Sequence, residues 1–176
     1  MKDSYCSHCG SQHTALIYPK TCSKCQEVTY RNPLPVIVGV IPVLTNDNKI
    51  KILLGRRGIS PGENLFALPG GYIDFTTHPE TWEEALKREV FEETSLRVTP
   101  KELVGGYTSD TTGAIIIFAT TQFIHENDVN FNFQNSETKE LALQSDVIEN
   151  GKEVLAFSSH TKMYLKYLEI FNSPNL

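Results

Sequence analysis

The chain has 176 residues, 40% of them hydrophobic, with a formal net charge of −5. That is enough apolar material for one ordinary domain with a small appendage, and the charge argues against binding nucleic acid through bulk electrostatics, though not against a local basic patch. No run approaches ~18 apolar residues and no signal peptide precedes Cys6, so the expectation is a soluble, cytoplasmic protein without a membrane partner.

All four cysteines fall within the first 25 residues, which is not how a disulfide framework for the whole chain would be spread. Cys6 and Cys9 form one CxxC, and Cys22 and Cys25 form another after an interval of 12 residues. Two such turns at this distance are a strong tetrahedral Zn²⁺ pattern, because their thiolates can converge at about 2.3 Å from one ion. A redox dithiol needs only one CxxC. His8 and His13 are spare donors that a four-cysteine site does not require. So short a segment cannot bury a core, and the metal is expected to supply its folding energy. A structural knuckle is favoured over a nucleic-acid contact, since no Lys/Arg cluster surrounds the cysteines. The expected division is a zinc ribbon over residues 1–30 and a main domain over 31–176.

Tyr30–Pro35 reads as an extended linker, because Pro33 and Pro35 deny it helix and central strand. Val36–Leu44, dense in β-branched residues, predicts one strand, and Lys49–Leu54 a second that closes a hairpin through the Thr45–Asn48 turn. Arg56 and Arg57 end that strand. They fit either a contact to substrate phosphates or a solvated edge. Ile59–Asn64 is a loop, and Leu65–Pro69 leads into a Gly70–Gly71 turn.

Thr81 and Glu84 form a capping-box pattern that starts a helix. On that helix Glu89, Glu92 and Glu93 share a sector of roughly 100°, with Arg88 on its flank. Leu86 and Val90 lie to the other side and can anchor it to a core. Like-charged pairs at i,i+4 cost a few tenths of a kcal/mol, and one arginine offsets only part of that. A solvated glutamate-rich face is the plain alternative. The Gly-Gly turn and the arginine favour hard divalent cations, Mg²⁺ or Mn²⁺, as partners for an all-oxygen donor set. Further on, Val98–Leu103 and Val104–Thr108 are two strand candidates, and Ala114–Phe123 is the strongest strand, expected to be central. Asn127–Asn135 is an exposed edge or loop. Thr161–Phe171 is a last helix with Met163, Tyr164, Tyr167 and Leu168 spaced for burial. His160 reads as a cap or surface residue.

The run Glu80, seven residues, Arg88-Glu89-Val90-Phe91-Glu92-Glu93-Thr94-Ser95-Leu96 resembles the Nudix hydrolase signature GX5EX7REUXEEXGU, with U aliphatic. Two positions depart from it. Eight residues separate Gly71 from Glu80, an insertion of three around Phe75–His78, and Ser95 stands where the family has glycine. The resemblance implies an α/β fold, the Nudix α/β/α sandwich around a mixed sheet. It also implies Mg²⁺- or Mn²⁺-dependent hydrolysis of a nucleoside diphosphate linked to another group, with Glu89, Glu92, Glu93 and the Gly71 carbonyl at the metal. By the same resemblance Arg88 is expected to orient the glutamates, with Glu80 as its partner, and one of the glutamates or Glu137 to serve as general base. Glu137 is also readable as an ordinary surface glutamate. The resemblance also implies that Arg57 would lie near the substrate phosphates, and Phe66, Tyr72, Tyr107 and Phe131 are candidates to stack on a base or flavin ring, or else core residues.

The zinc ribbon, the Asn32-Pro33 linker, the Gly70-Gly71-Tyr72 turn and the Leu155–Ser159 segment are similar to ribbon-bearing FAD/ADP-ribose diphosphatases. The related NADH diphosphatase branch, which includes enzymes that remove NAD caps from RNA, carries an SQPWPFP motif after the box. Residues 97–113 contain nothing like it, which favours FAD or ADP-ribose. The expected partner is a nucleotide substrate; capped RNA and a homodimer stay open. The competing class is a non-catalytic ligand-sensing or nucleic-acid-binding module, against which stand the three retained glutamates.

Overall fold

The computed structural model describes residues 4–75, 77–109, 112–144, 148–149, 152–153 and 155–171. The chain forms two compact units, Met1–Pro33 and Leu34–Leu176. In the first, β1 (Lys20–Thr21) and β2 (Val28–Thr29) make a short antiparallel ladder. Each CxxC turn is closed from its first cysteine: the Gly10 N–H donates to the Cys6 carbonyl, and the Gln26 N–H to that of Cys22, both at 2.9 Å. Both turns need a left-handed residue just after the second cysteine, Gly10 at φ 71° and Gln26 at φ 62°. Glycine takes that conformation freely, whereas glutamine takes it at a cost.

The second unit is built on two sheets. One runs in the order β7 (Gly70–Tyr72), β3 (Leu34–Val40), β9 (Ala114–Thr121) and β8 (Pro100–Thr108), with β3 and β9 parallel. The other runs β10 (Ile124–His125), β4 (Pro42–Leu44), β5 (Ile50–Arg57) and β11 (Thr138–Gln144), with β6 (Phe66–Ala67) also on β5. A small ladder joins β12 (Ile148–Glu149) to β13 (Lys152–Glu153). Helices α1 (Trp82–Thr94) and α2 (Ser158–Phe171) complete the unit, and neither is long and apolar enough to cross a membrane.

Alternation along the central strands explains their unbroken apolar runs. Ile37, Leu53 and Ala119 join Leu86 and Val90 of α1 in one buried cluster. Val38, Val40, Ile52, Leu54 and Phe118 join Met163, Tyr164 and Tyr167 of α2 in a second. Each strand is therefore covered on both faces, the condition under which alternation of polar and apolar residues disappears from sequence. Gly39 lets α1 approach: a Cβ there would lie 3.0 Å from Leu86 Cδ1 and 3.4 Å from Val90 Cγ2. The side chain of Leu168, the fourth residue on the expected buried stripe of α2, lies outside the described residues, as does Thr76 in the expected insertion.

Several expectations are corrected by tertiary context. Val36–Leu44 is two strands in different sheets, because Pro42 brings no N–H and the chain steps across at Ile41, whose carbonyl still accepts from Leu53 at 3.0 Å. The linker prolines do not keep Leu34 and Pro35 out of β3. β5 continues through both arginines to Arg57. The two candidates around residue 103 are one strand, β8, with two irregularities of register. His160 is neither cap nor surface: it is 6% exposed in the first turn of α2, edge-on to Phe118 and against Phe157. Its Nδ1 accepts the Leu68 N–H at 3.2 Å, and burial, helped by the Arg57 charge, pushes its pKa down to about 3.

Thr81 and Glu84 cap α1 reciprocally, and the helix ends at Ser95 in the left-handed conformation, φ 59°. Glycine is the residue that adopts this geometry without strain. Ser95→Gly is expected to stabilise the protein by up to about 1 kcal/mol and raise Tm by a few degrees. Calorimetry showing a lower Tm would mean that the serine side chain contributes more than its backbone costs.

Candidate functional site

The four cysteine sulfurs converge within 4.8 Å of one another, with Cys6 to Cys25 at 3.7 Å and Cys9 to Cys22 at 3.6 Å. A tetrahedron with arms of about 2.3 Å has edges of about 3.8 Å, so the donor set fits one Zn²⁺. All four are free thiols, not disulfides. His8 and His13 are not part of the cluster. Among the described residues this is the group that draws its ligand atoms so close.

The helix carboxylates are arranged differently, around Arg88. Its Nε and Nη2 donate to the two oxygens of Glu80, each at 2.9 Å, a bidentate pair. Nη1 donates to Glu89 at 2.7 Å and to Glu92 at 3.2 Å, and Nη2 also reaches the Tyr72 carbonyl at 2.9 Å. Arg88 thus ties the helix to the end of β7 and spreads its charge over three glutamates. It holds the Glu80 carboxyl below the usual range.

Glu93 points away from Arg88 toward the Gly-Gly strand, where the Gly70 N–H donates to its Oε2 at 3.0 Å. Burial pushes its pKa up to about 7; that N–H and Arg57 oppose the shift, and the charges of Glu89 and Glu137 add to it. Glu89 is raised as well, burial outweighing its bond to Arg88. A Cβ on Gly71 would collide with the Glu89 carboxylate, and one on Gly70 with the Ile37 carbonyl. Both glycines are therefore demanded by close approach. Two carboxyls whose ionisation is opposed by burial and by neighbouring carboxylates form a hard-oxygen site that a divalent cation would relieve. Glu92 is the solvent-facing member of the set, its side chain 56% exposed.

A narrow cavity beside Glu93 is lined by Arg57, Leu68, Glu137 and Thr138. The pairing of β5 with β11 makes it, setting Arg57 opposite Thr138. Arg57 is held there by its Nε bond to the Pro61 carbonyl at 2.8 Å and by the Phe157 ring 5.1 Å away. Arg56 diverges from it, pairing with Glu140 at 2.8 Å. So Glu89, Glu93, Arg57 and Glu137 come together across three elements.

The aromatic candidates separate. Phe66 is 6% exposed in the α2-side core, with the Arg56 guanidinium over its face at 4.2 Å, so its ring is closed to a ligand. Tyr107 packs edge-on against Phe118. Tyr72 and Phe131 are exposed. Sequence reasoning passes over Asn135, whose Oδ1 accepts the N–H groups of Glu137 and Thr138 at 2.9 and 2.7 Å. An Asn two residues before an acidic residue at a strand start is an Asx-turn pattern and could have marked it.

The NUDIX domain model matches residues 33–164. An ADP-ribose pyrophosphatase of Methanocaldococcus jannaschii is 44% identical over 80 residues, 46% of this chain and 44% of that protein. The NAD-capped RNA hydrolase NudC of Haemophilus influenzae is 30% identical over 97 residues, 53% of this chain and 34% of that protein. The chain thus spans less than half the length of these curated relatives. Among solved structures, a NUDIX hydrolase from Nitrosomonas europaea has a TM-score of 0.69 at 22% identity, covering 97% of this chain and 94% of that one. The NUDIX domain of Shewanella oneidensis NrtR, complexed with ADP ribose, has a TM-score of 0.62 at 21% identity, covering 81% and 91%. These two share the fold. Since the matched residues run from just before β3 into α2 and take in the Gly-Gly strand and the whole glutamate helix, the chain belongs to the NUDIX family.

Proposed function

We propose that this protein hydrolyses the pyrophosphate of a nucleoside diphosphate linked to another moiety, with ADP-ribose or FAD as preferred substrate. Water adds at phosphorus and the P–O–P bridge breaks, giving AMP and ribose 5-phosphate, or AMP and FMN. The observation that carries the reading is the pair of largely buried, charge-opposed carboxyls, Glu89 and Glu93, set against Gly70–Gly71 and facing Arg57. Glu89, Glu92, Glu93 and the Gly71 carbonyl would hold Mg²⁺ or Mn²⁺, which when bound supplies charge neutralisation at the pyrophosphate and an acidified water.

The chain's own residues do the rest. Arg88, through its bonds to Glu80 and the Tyr72 carbonyl, keeps α1 in register with the Gly-Gly strand. Arg57, whose charge faces Glu93, is placed to bind a phosphate oxygen. Glu93 or Glu137 takes the proton from the attacking water. Tyr72 and Phe131, both exposed, are the rings left to stack on a base, whereas Phe66 is withdrawn from that role. In the first unit, Cys6, Cys9, Cys22 and Cys25 would hold a structural Zn²⁺, dividing the chain into a ribbon (1–30) and a hydrolase domain (31–176).

The ADP-ribose named for the M. jannaschii relative and bound in the NrtR structure supports this substrate class. The NudC relative, named for NAD-capped RNA, keeps that substrate as the second reading, with NADH beside it from the resemblance to the NADH diphosphatase branch. All these substrates share an adenosine diphosphate moiety, so discrimination comes from the other half. One or two contacts together supply roughly 10- to 200-fold, and preference rather than exclusivity is expected. ADP-ribose or FAD should show a higher kcat/KM than NADH or capped RNA when products are separated by chromatography. NADH cleaved fastest by a wide margin would overturn the choice, and no Mg²⁺-dependent cleavage of any of them would favour a ligand-sensing module.

A further inference from the structure

The turn that carries Glu137 is fastened to the glutamate helix by one side chain. Asn135 Nδ2 donates to the Glu92 carbonyl at 2.7 Å, while its Oδ1 accepts from Glu137 and Thr138. Its own N–H donates to the Thr138 carbonyl at 2.8 Å. The Glu92 carbonyl belongs to the last turn of α1, where carbonyls have no partner within the helix. Its neighbours are met locally, Phe91 by the Ser95 N–H and Val90 by the Thr94 hydroxyl. The Glu92 carbonyl is met by a residue 43 positions away in sequence. On the other side the Glu137 carbonyl accepts the Gly58 N–H at 2.6 Å, and a Cβ on Gly58 would lie 2.6 Å from the Ser136 carbonyl oxygen. The backbone of Glu137 is thus held by Gly58, just past the end of β5, and tied to α1 through Asn135, beside a cavity shared with Glu93 and Arg57.

We propose that Asn135 is a positioning residue that locks the Glu137 turn to the C-terminal end of the glutamate helix, fixing Glu137 relative to Glu93. The proposal rests on Glu137 taking part in the reaction proposed above. It predicts that Asn135 acts through Glu137 and not through general stability.

A double-mutant cycle with ADP-ribose and Mg²⁺ tests it, combined with hydrogen exchange at the Glu137 and Thr138 amides. Asn135→Ala should lower kcat about tenfold with little change in KM, and should speed exchange at both amides. Asn135→Asp keeps an acceptor for those amides but loses the donor to the Glu92 carbonyl. It should therefore keep exchange slow while still lowering kcat about tenfold. Adding Asn135→Ala to Glu137→Gln should cost less than twofold more. A slow Glu137→Gln on which Asn135→Ala acts with its full tenfold effect overturns the role of Asn135 alone. Glu137→Gln at the wild-type rate overturns the role of Glu137 and the proposal with it. Wild-type kcat in Asn135→Asp overturns the docking to the helix.

Discussion

Glu93→Gln is expected to lower kcat by about a thousandfold or more while stabilising protein kept free of divalent cations. The amide can still accept the Gly70 N–H that now bonds Oε2, so the strand contact survives. What is lost is a buried negative charge facing Glu89 and Glu137. The sign of the pH effect follows from its raised pKa, about 7 against an ordinary 4.5. Between those values the folded state binds more protons than the unfolded one. The contribution of this group to stability is therefore fully present below about pH 4.5 and lost as pH rises through 7. The difference corresponds to about 3 kcal/mol, as an order of magnitude. Thermal unfolding in chelator at pH 5 and pH 8 should show a steeper loss of Tm for the wild type than for Glu93→Gln. Equal slopes would mean that Glu93 is not the strained carboxyl, and near-wild-type turnover would remove it from the reaction.

The second large effect concerns the first unit. Purified protein should carry close to one zinc per chain, and Cys22→Ser should reduce that sharply, because the remaining three sulfurs leave the tetrahedron open. The first unit has few buried side chains besides Cys6 and Cys22, so a bound metal would supply the energy that a core would otherwise provide, on the order of 10 kcal/mol in comparable small sites. The second unit has two buried clusters of its own. Limited proteolysis of Cys22→Ser should therefore cut within the first 33 residues while a fragment from about Leu34 onward resists. Mg²⁺-dependent hydrolysis by the folded remainder should fall much less than zinc content. Elemental analysis finding no zinc in protein prepared without chelator would remove the site.

Local chemistry makes the cysteine turns, the capping box and the glutamate sector legible in the sequence. Each is encoded in residues at most a few turns apart. What stays hidden depends on pairings between distant segments. β11 is the plainest case: Lys139-Glu140-Leu141-Ala142-Leu143 favours helix by propensity, and it is a strand because β5 offers it a ladder. The same pairing brings Arg57 and Glu137 to Glu93, so the cavity is as illegible as the strand. The split of β3 from β4 is hidden because the apolar run continues through the step. His160 misleads for a related reason: a polar residue at a helix start reads as a cap until a distant loop, here Leu68, supplies its partner.

The segment between Gly71 and Glu80 is three residues longer than the family spacing, yet the carboxylate network behind it is complete. The reason lies in its neck. Asp74 and Glu80 exchange hydrogen bonds, Glu80 N–H to the Asp74 carbonyl at 3.0 Å and Asp74 N–H to the Glu80 carboxylate at 3.1 Å. Phe75 bridges Pro79 just beyond them. Lengthening a loop that is pinched at its base costs only the slowly growing entropy of closing a longer ring, about 0.6 kcal/mol per doubling. The distance that matters to Glu89 and Gly71 is set across the pinch, not along the chain. Phe75, at the pinch, is 76% exposed, and His78 beyond it lines a cavity with Glu80 and Arg88, so the neck is the place to carry a label and His78 the residue to leave untouched.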